Sequence, residues 1–344
     1  MRAPDPRPQR ALRLAGGTAL ALAAGFALAP PLPYVAPLLA LFLLAQRNQA
    51  LPLKAAIGLP LLVMLTTGCG LLLIPPLQHA PVSGLLLIAL CLFHCFRYNR
   101  RGGNALLGTF MIVGLTLIAA AGASSFALAV TVIEALAKGL LLAVLAASIA
   151  HAIFPEPAAV VVPPPPAAES AFDAGWVALR ATLVVMPALL VALIDPSRYL
   201  PLIMKSVSLG QQVCSRDTRD AGRELVGATL LGGALAMLFW SLLGIQPKLW
   251  MFFLWTLLFV LLLARRLYRL LPGRASPGFW LNCMATLVLL LGQSVEDSAA
   301  GKDVYRAFAI RLALFIGVAL YAWLAVSLID RWRAHSIARR ARKA

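Results

Sequence analysis

Residues 82–101 have the sequence VSGLLLIALCLFHCFRYNRR, a long apolar run that ends in a cluster of arginines. A helix needs about 20 predominantly apolar residues to cross the hydrocarbon core of a bilayer, and apolar runs of this kind recur along the whole chain. They predict twelve membrane-spanning helices, at 11–29, 33–46, 55–74, 82–97, 105–121, 125–153, 175–195, 199–213, 224–245, 249–265, 277–294 and 304–330. We therefore expect an all-α polytopic membrane protein. The second and eighth runs are short and open on Pro-containing turns, so whether they cross fully stays open.

The basic residues are sorted between alternate gaps of this pattern. Of the 30 lysines and arginines, about 22 lie in the two tails and in every second gap, for example Arg97, Arg100 and Arg101. The intervening gaps hold only Arg198, Lys248 and Lys302. Because cationic loops resist translocation, we expect the basic gaps and both termini on the cytoplasmic side.

Composition excludes several classes of protein. The chain is 61% hydrophobic and 12% charged, which leaves too little polar surface to cover a soluble globule. The formal net charge of +17 is spread over short loops and tails and forms no single patch. We therefore expect the charge to set topology and attract anionic lipid headgroups, and we expect no binding of nucleic acid.

The chain divides into two similar halves. The prolines of 155–172 predict an extended cytoplasmic linker between a six-helix repeat at 1–154 and a second at 173–330, followed by a basic cytoplasmic tail at 331–344. The short spans end at Gln46 and Gln211, and each is followed by a basic residue four positions before a glycine: Lys54 and Gly58, Arg223 and Gly227. Since each half has an even number of spans, we expect a parallel repeat about an axis normal to the membrane.

These duplicated features resemble those of a known family. A basic N-terminal helix, a Pro-Tyr turn, a short apolar span and a basic-x-x-x-Gly helix start are similar to the fusaric acid resistance superfamily of aromatic acid exporters. The segment RELVGATLLGGA at 223–234 is the best match. Many members carry a sizeable cytosolic insert where this chain has only its proline linker, which would make it a short branch. The resemblance implies a multi-pass protein of the bacterial inner (cytoplasmic) membrane that exports small organic acids or toxic amphiphiles, often with a periplasmic membrane-fusion adaptor.

Charges inside the apolar runs are the candidates for function, because each is costly in lipid unless it is paired or hydrated. Glu134 and Lys138 lie one turn apart near the middle of the sixth span. They predict either a self-neutralising ion pair that stabilises the fold or a carboxylate that exchanges Lys138 for a proton and couples transport to the proton gradient.

Two cations are candidates for substrate binding. Lys205 lies in the middle of the short eighth span, where it could attract an anionic substrate or brace a neighbouring helix. Arg311 lies inside the twelfth span, and an ion pair with Glu134 is a further expectation. Gln46 and Gln211 at the ends of the short spans predict either ordinary interfacial side chains or a polar lining of the inner mouth of a pathway.

Signatures of catalysis and of cofactor binding are missing from the sequence. It has no P-loop, no Gly-x-Ser-x-Gly, no His-Glu-x-x-His and no Cys-x-x-Cys. We therefore expect no enzyme activity, no metal and no cofactor, and a secondary transporter that draws on an ion gradient. The alternative is a non-transporting scaffold or accessory subunit of an envelope complex. The lipid bilayer is the expected partner in either case, and a homo-oligomer is compatible with both.

Overall fold

A computed structural model describes residues 5–155, 171–214, 218–273 and 275–341. This part of the chain is helical, with no strand among the described residues. The proline-rich segment 156–170, which makes up most of the predicted linker, lies outside the described residues.

A helix occupies every predicted span. The twelve, numbered in chain order, are α1 Arg7–Leu28, α2 Val35–Gln46, α3 Leu53–Gly68 continued by Cys69–Leu73 and Ile74–His79, α4 Pro81–Arg100, α5 Ala105–Val113 continued by Gly114–Ile118 and Ala119–Ser124, α6 Phe126–Ile153, α7 Ala171–Ile194, α8 Pro196–Cys214, α9 Thr218–Leu243, α10 Leu249–Leu267, α11 Pro277–Ala299 and α12 Val304–Ala341.

Ten of these twelve helices are long and apolar enough to cross a membrane. The exceptions are α2, which has 12 residues, and α8, which carries polar and charged residues along its length. Both are the helices that the sequence marks as short. α12 continues to Ala341, through most of the predicted basic tail. The architecture is that of a multi-pass membrane protein.

Two of the helices change their pitch in the middle. α3 tightens to a 3-10 helix over Cys69–Leu73, and α5 widens to a π-helix over Gly114–Ile118. The two irregular stretches pack on each other. Only glycine fits there, because a Cβ added to Gly70 would lie 2.1 Å from the carbonyl oxygen of Gly114. The backbones therefore approach closely, as small residues allow between membrane helices.

The helices form two compact units that do not coincide with the two halves of the sequence. The first unit contains α1, α2, α10 and α11, most of α6 and α9, and the starts of α3 and α12. The second contains α4, α5, α7 and α8, most of α3 and α12, and the starts of α6 and α9. The chain passes between units inside α3, α6, α9 and α12, at Leu65, Val130, Ala228 and Leu312. Each unit thus takes helices from both halves.

The same helix pairings recur inside each unit. In the first unit α1 packs on α2 and α10, and α11 packs on α10 and α2. In the second unit α7 packs on α8 and α4, and α5 packs on α4 and α8. Helices whose numbers differ by six take equivalent places in the two units. The corresponding helices are α1 and α7, α2 and α8, α10 and α4, and α11 and α5. This is the pattern that a duplicated six-helix sequence would produce.

A sequence motif follows the same equivalence. In α5 the chain has Thr116-Leu-x-x-x-x-Gly-x-Ser124, and in α11 it has Thr286-Leu-x-x-x-x-Gly-x-Ser294. The threonines bond alike, since Thr116 Oγ1 donates to the Ile112 carbonyl and Thr286 Oγ1 donates to the Asn282 carbonyl, each at 2.7 Å. The motif supports the repeat, whose symmetry axis stays a prediction.

Candidate functional site

Lys205 lies in the second unit, on α8, and is fully buried. Its neighbour Ser206 is also fully buried, and the Ser206 hydroxyl donates to the carbonyl of Ile203 at 2.9 Å. Lys205 is thus enclosed by protein and does not face lipid. An enclosed ammonium group has to be compensated by acceptors around it, since desolvation without them costs several kcal/mol. Whether Lys205 binds a substrate stays a prediction.

The two predicted glutamines have different surroundings. Gln211, on α8 in the second unit, donates through Nε2 to Thr109 Oγ1 of α5 at 3.0 Å. It therefore joins two helices of its unit. Gln46 ends α2 in the first unit and is exposed. Of the predicted substrate-binding residues, only Lys205 and Gln211 share a unit and a helix.

Glu134 and Lys138 form the ion pair that their spacing allows. Lys138 Nζ lies 3.3 Å from Glu134 Oε1, and each side chain is 54% exposed. The pair lies on the outer face of α6, although a charge at this depth is expected to face protein or water. The proton-coupling role of Glu134 stays a prediction.

Arg311 pairs with Asp297 of α11, and the expected pair with Glu134 is wrong. The guanidinium donates to both carboxylate oxygens, through Nη1 to Oδ2 and through Nη2 to Oδ1, the latter at 3.0 Å. The Asp297 side chain is only 4% exposed, and Lys302 Nζ lies 3.8 Å from it. Bidentate geometry of this kind gives the strongest ion pairs of proteins.

Asp297 is a site residue that the sequence reasoning missed. The predicted eleventh span ends at 294, which leaves Asp297 in a loop, whereas α11 runs to Ala299 and buries it. The signal that could have found it is spacing. Asp297 and Arg311 are only 14 positions apart, and two helices joined by a tight turn place such residues opposite each other.

Tyr34 and Gln293 extend this cluster within the first unit. The Tyr34 side chain is buried beside Gly292, where a Cβ would lie 2.2 Å from the Tyr34 Cβ. Gln293, one turn before Asp297, hydrogen-bonds the Tyr34 phenol, and Gln293 Oε1 has no hydrogen-bond partner among the described residues.

A polar face along α11 links these residues. Asn282, Thr286, Gln293 and Asp297 are all buried and follow helical spacing on one side of the helix. A buried polar face on a membrane helix is expected to contact other polar groups or water, not lipid. α11 with Tyr34 and Arg311 is therefore the candidate polar site of the first unit, as Lys205 is of the second.

Metal and disulfide chemistry find no support among the described residues. No group of three or more His, Cys, Asp or Glu lies close enough to hold a metal ion in the part of the chain that the structure describes. Cys69, Cys91, Cys95 and Cys283 form no disulfide.

Comparison with known proteins bears on the first half of the chain. No curated protein and no solved structure matches it. Residues 10–150, which contain nearly all of α1 to α6, match the family described as "Protein of unknown function (DUF2955)". Over these six helices, the chain is similar to that family.

Proposed function

We propose that the protein is a secondary transporter of the inner membrane that exports small organic acids, aromatic ones among them, or toxic amphiphiles. The observation that supports this most is the complete burial of Lys205 on α8, in the predicted eighth span. A cation is costly to enclose at such a position, so intramembrane charges mark functional sites by default. The resemblance to aromatic acid exporters points to the same class of substrate.

In this proposal the ammonium group of Lys205 binds the carboxylate of the substrate, and Gln211 contributes polar contacts further along α8. Arg311 would bind substrate only after leaving Asp297, so its contribution would be tied to a change of partner. Glu134 would couple export to the proton gradient by exchanging Lys138 for a proton. Gln46 would lie at the cytoplasmic mouth.

The test is to measure organic-acid efflux per folded molecule in proteoliposomes. Lys205→Met should abolish efflux, while Lys205→Arg should retain a part of it, because the charge remains but the shape changes. Lys248→Met is the matched control, since it removes an exposed lysine at the start of α10. Normal efflux per molecule in Lys205→Met would remove Lys205 from the substrate path.

A scaffold or accessory subunit is the second candidate. It is favoured by two ion pairs that neutralise their own charges without a substrate: Glu134 with Lys138 on the outer face of α6, and Asp297 with Arg311. Such a protein would move no organic acid when reconstituted alone, and Lys205→Met would lower only the amount of folded protein. A neighbouring gene for a periplasmic adaptor with one anchor helix would favour export.

A further inference from the structure

The Glu134–Lys138 ion pair lies near the middle of a membrane helix. α6 has 28 residues, from Phe126 to Ile153, so its midpoint falls beside Lys138. At a rise of 1.5 Å per residue, Lys138 is about 2 Å and Glu134 about 8 Å from that midpoint. Both charges therefore lie inside a hydrocarbon core that is about 30 Å thick. The lysine stem is too short to bring its ammonium group to either interface.

The same face of α6 is exposed along most of its length. Its other members are apolar and spaced by three or four residues: Val130, Leu141, Leu145 and Ile149 are each between 42% and 51% exposed. These residues and the ion pair form one straight stripe about 29 Å long, which we call the α6 stripe. All of it belongs to the first unit.

Lipid is a poor cover for this stripe. A charged side chain at the centre of a bilayer costs about 2.5–3.5 kcal/mol even on the lowest scales, and pairing within one helix leaves the remaining hydrogen-bonding capacity unused. An ammonium group has three donors and a carboxylate has two acceptor oxygens. The Glu134–Lys138 contact uses one donor and one acceptor oxygen.

We propose that the α6 stripe is the contact surface for a second copy of this chain. Two copies in the same membrane orientation are related by a two-fold axis along the membrane normal, and a two-fold interface places a surface against itself. The stripe is complementary to itself, because it holds one charge of each sign one turn apart. Side chains on a helix lean towards its N-terminus, so each Lys138 reaches the level of the two Glu134 carboxylates. Four charges of alternating sign then surround the axis.

Charge variants test this pairing directly. A copy with Glu134→Lys carries two ammonium groups on the stripe, and a copy with Lys138→Glu carries two carboxylates. Each should fail to pair with itself, whereas the two should pair with each other when co-expressed with different affinity tags. Because like charges across an interface cost several kcal/mol, we expect about tenfold or more co-purification of the mixed pair over either variant with itself. If Glu134 and Lys138 interact only within their own helix, the mixed pair should co-purify no better than either variant with itself, which would contradict the proposal.

Photobleaching of single labelled proteins in dilute vesicles counts the copies. Wild-type protein should bleach mainly in two steps, whereas Glu134→Lys alone and Lys138→Glu alone should each bleach in one. Leu258→Lys on α10 is the control, since it places one charge on another exposed apolar position, and it should keep two steps. Single-step bleaching of the wild type, or two steps in both charge variants, would overturn the proposal.

A crosslink avoids the problem of variants that do not insert. Leu145→Cys changes the stripe mildly and should form a disulfide-linked dimer under oxidising conditions. Leu254→Cys on α10, which is exposed to a similar degree, should not exceed the background of the native cysteines. Equal crosslinking at the two positions, or none at Leu145→Cys, would contradict a stripe-to-stripe contact.

Discussion

At the scale of single residues, Asp297 is a buried charge of the first unit whose stability depends on its partner. Its side chain is 4% exposed and accepts both arms of the Arg311 guanidinium. If Arg311 is removed, the one ion-pair partner left to the carboxylate among the described residues is Lys302, at 3.8 Å, and that lysine is 66% exposed. Breaking a buried pair from one side is costly because a desolvated charge is left behind.

Arg311→Met should therefore lower the free energy of unfolding in detergent by about 3 kcal/mol. Arg306→Met, the same substitution one turn and a half earlier on α12, removes an exposed arginine and should change stability little. The double variant Arg311→Met and Asp297→Asn should recover part of the loss, since no uncompensated charge remains. Thermal unfolding of the four proteins in one detergent gives the comparison. Equal stability of Arg311→Met and Arg306→Met would contradict the assigned pair.

Sequence reasoning located some site residues and missed others for a physical reason. Lys205 could be singled out because a cation inside an apolar run can be recognised from the sequence alone. The partner of Arg311 could not, since the carboxylate that neutralises it lies on another helix, just past the apolar run. The burial of Arg13 and Arg180 could not be predicted either. Both lie near the start of a span, where neighbouring helices enclose side chains that would otherwise extend to the interface.

At the scale of elements, the contact between α3 and α5 depends on glycine at one position and not at its neighbour. A Cβ on Gly70 would lie 2.1 Å from a backbone oxygen of Gly114, which cannot turn aside, whereas a Cβ on Gly68 meets nothing within 4 Å. The two glycines flank Cys69 in the same helix.

Gly70→Ala should therefore destabilise the second unit by about 1–3 kcal/mol, as overpacking does. Gly68→Ala should be neutral or stabilise by up to about 1 kcal/mol, because alanine favours helix more than glycine. Urea or thermal unfolding of the two variants beside the wild type measures the difference. Similar losses in both would mean that α3 and α5 do not approach as closely as described.

The number and position of the helices could be predicted from apolar runs alone, because helices are the structures that satisfy the backbone of a membrane span internally. The 3-10 and π segments over Cys69–Leu73 and Gly114–Ile118 could not. Their pitch depends on a close contact between two helices, and the sequence of one helix does not show which helix packs against it.

At the scale of the whole molecule, the status of α2 decides the topology. With 12 residues it spans about 18 Å by helical rise, less than the hydrocarbon core. If α2 reaches the other side, the gap that contains Gln49 is cytoplasmic, like the gap at Gly102. If it does not, the positions of all later gaps need a different explanation.

We expect reporters fused after Gln49 and after Gly102 to be active only as cytoplasmic reporters, and reporters after Gln246 and after Gly301 only as periplasmic ones. The physical reason is the asymmetry of lysine and arginine between alternate gaps. Paired phosphatase and fluorescent-protein fusions at each point measure it. Periplasmic signals at both Gln49 and Gly102, which two spanning helices separate, would show that α2 does not cross.

The exchange of helices between units has a consequence for the order of synthesis. The first unit begins with α1 but needs residues up to Leu312, and the second cannot be closed before most of α12 has been made. At about 5–20 residues per second, the roughly 150 residues between the end of α6 and Leu312 take on the order of 10–30 s to translate. During that interval α1 to α6 lie in the bilayer without the later helices that complete the two units. Holding such incomplete bundles apart from one another is a task for the insertion machinery, and it grows with the rate at which the gene is expressed.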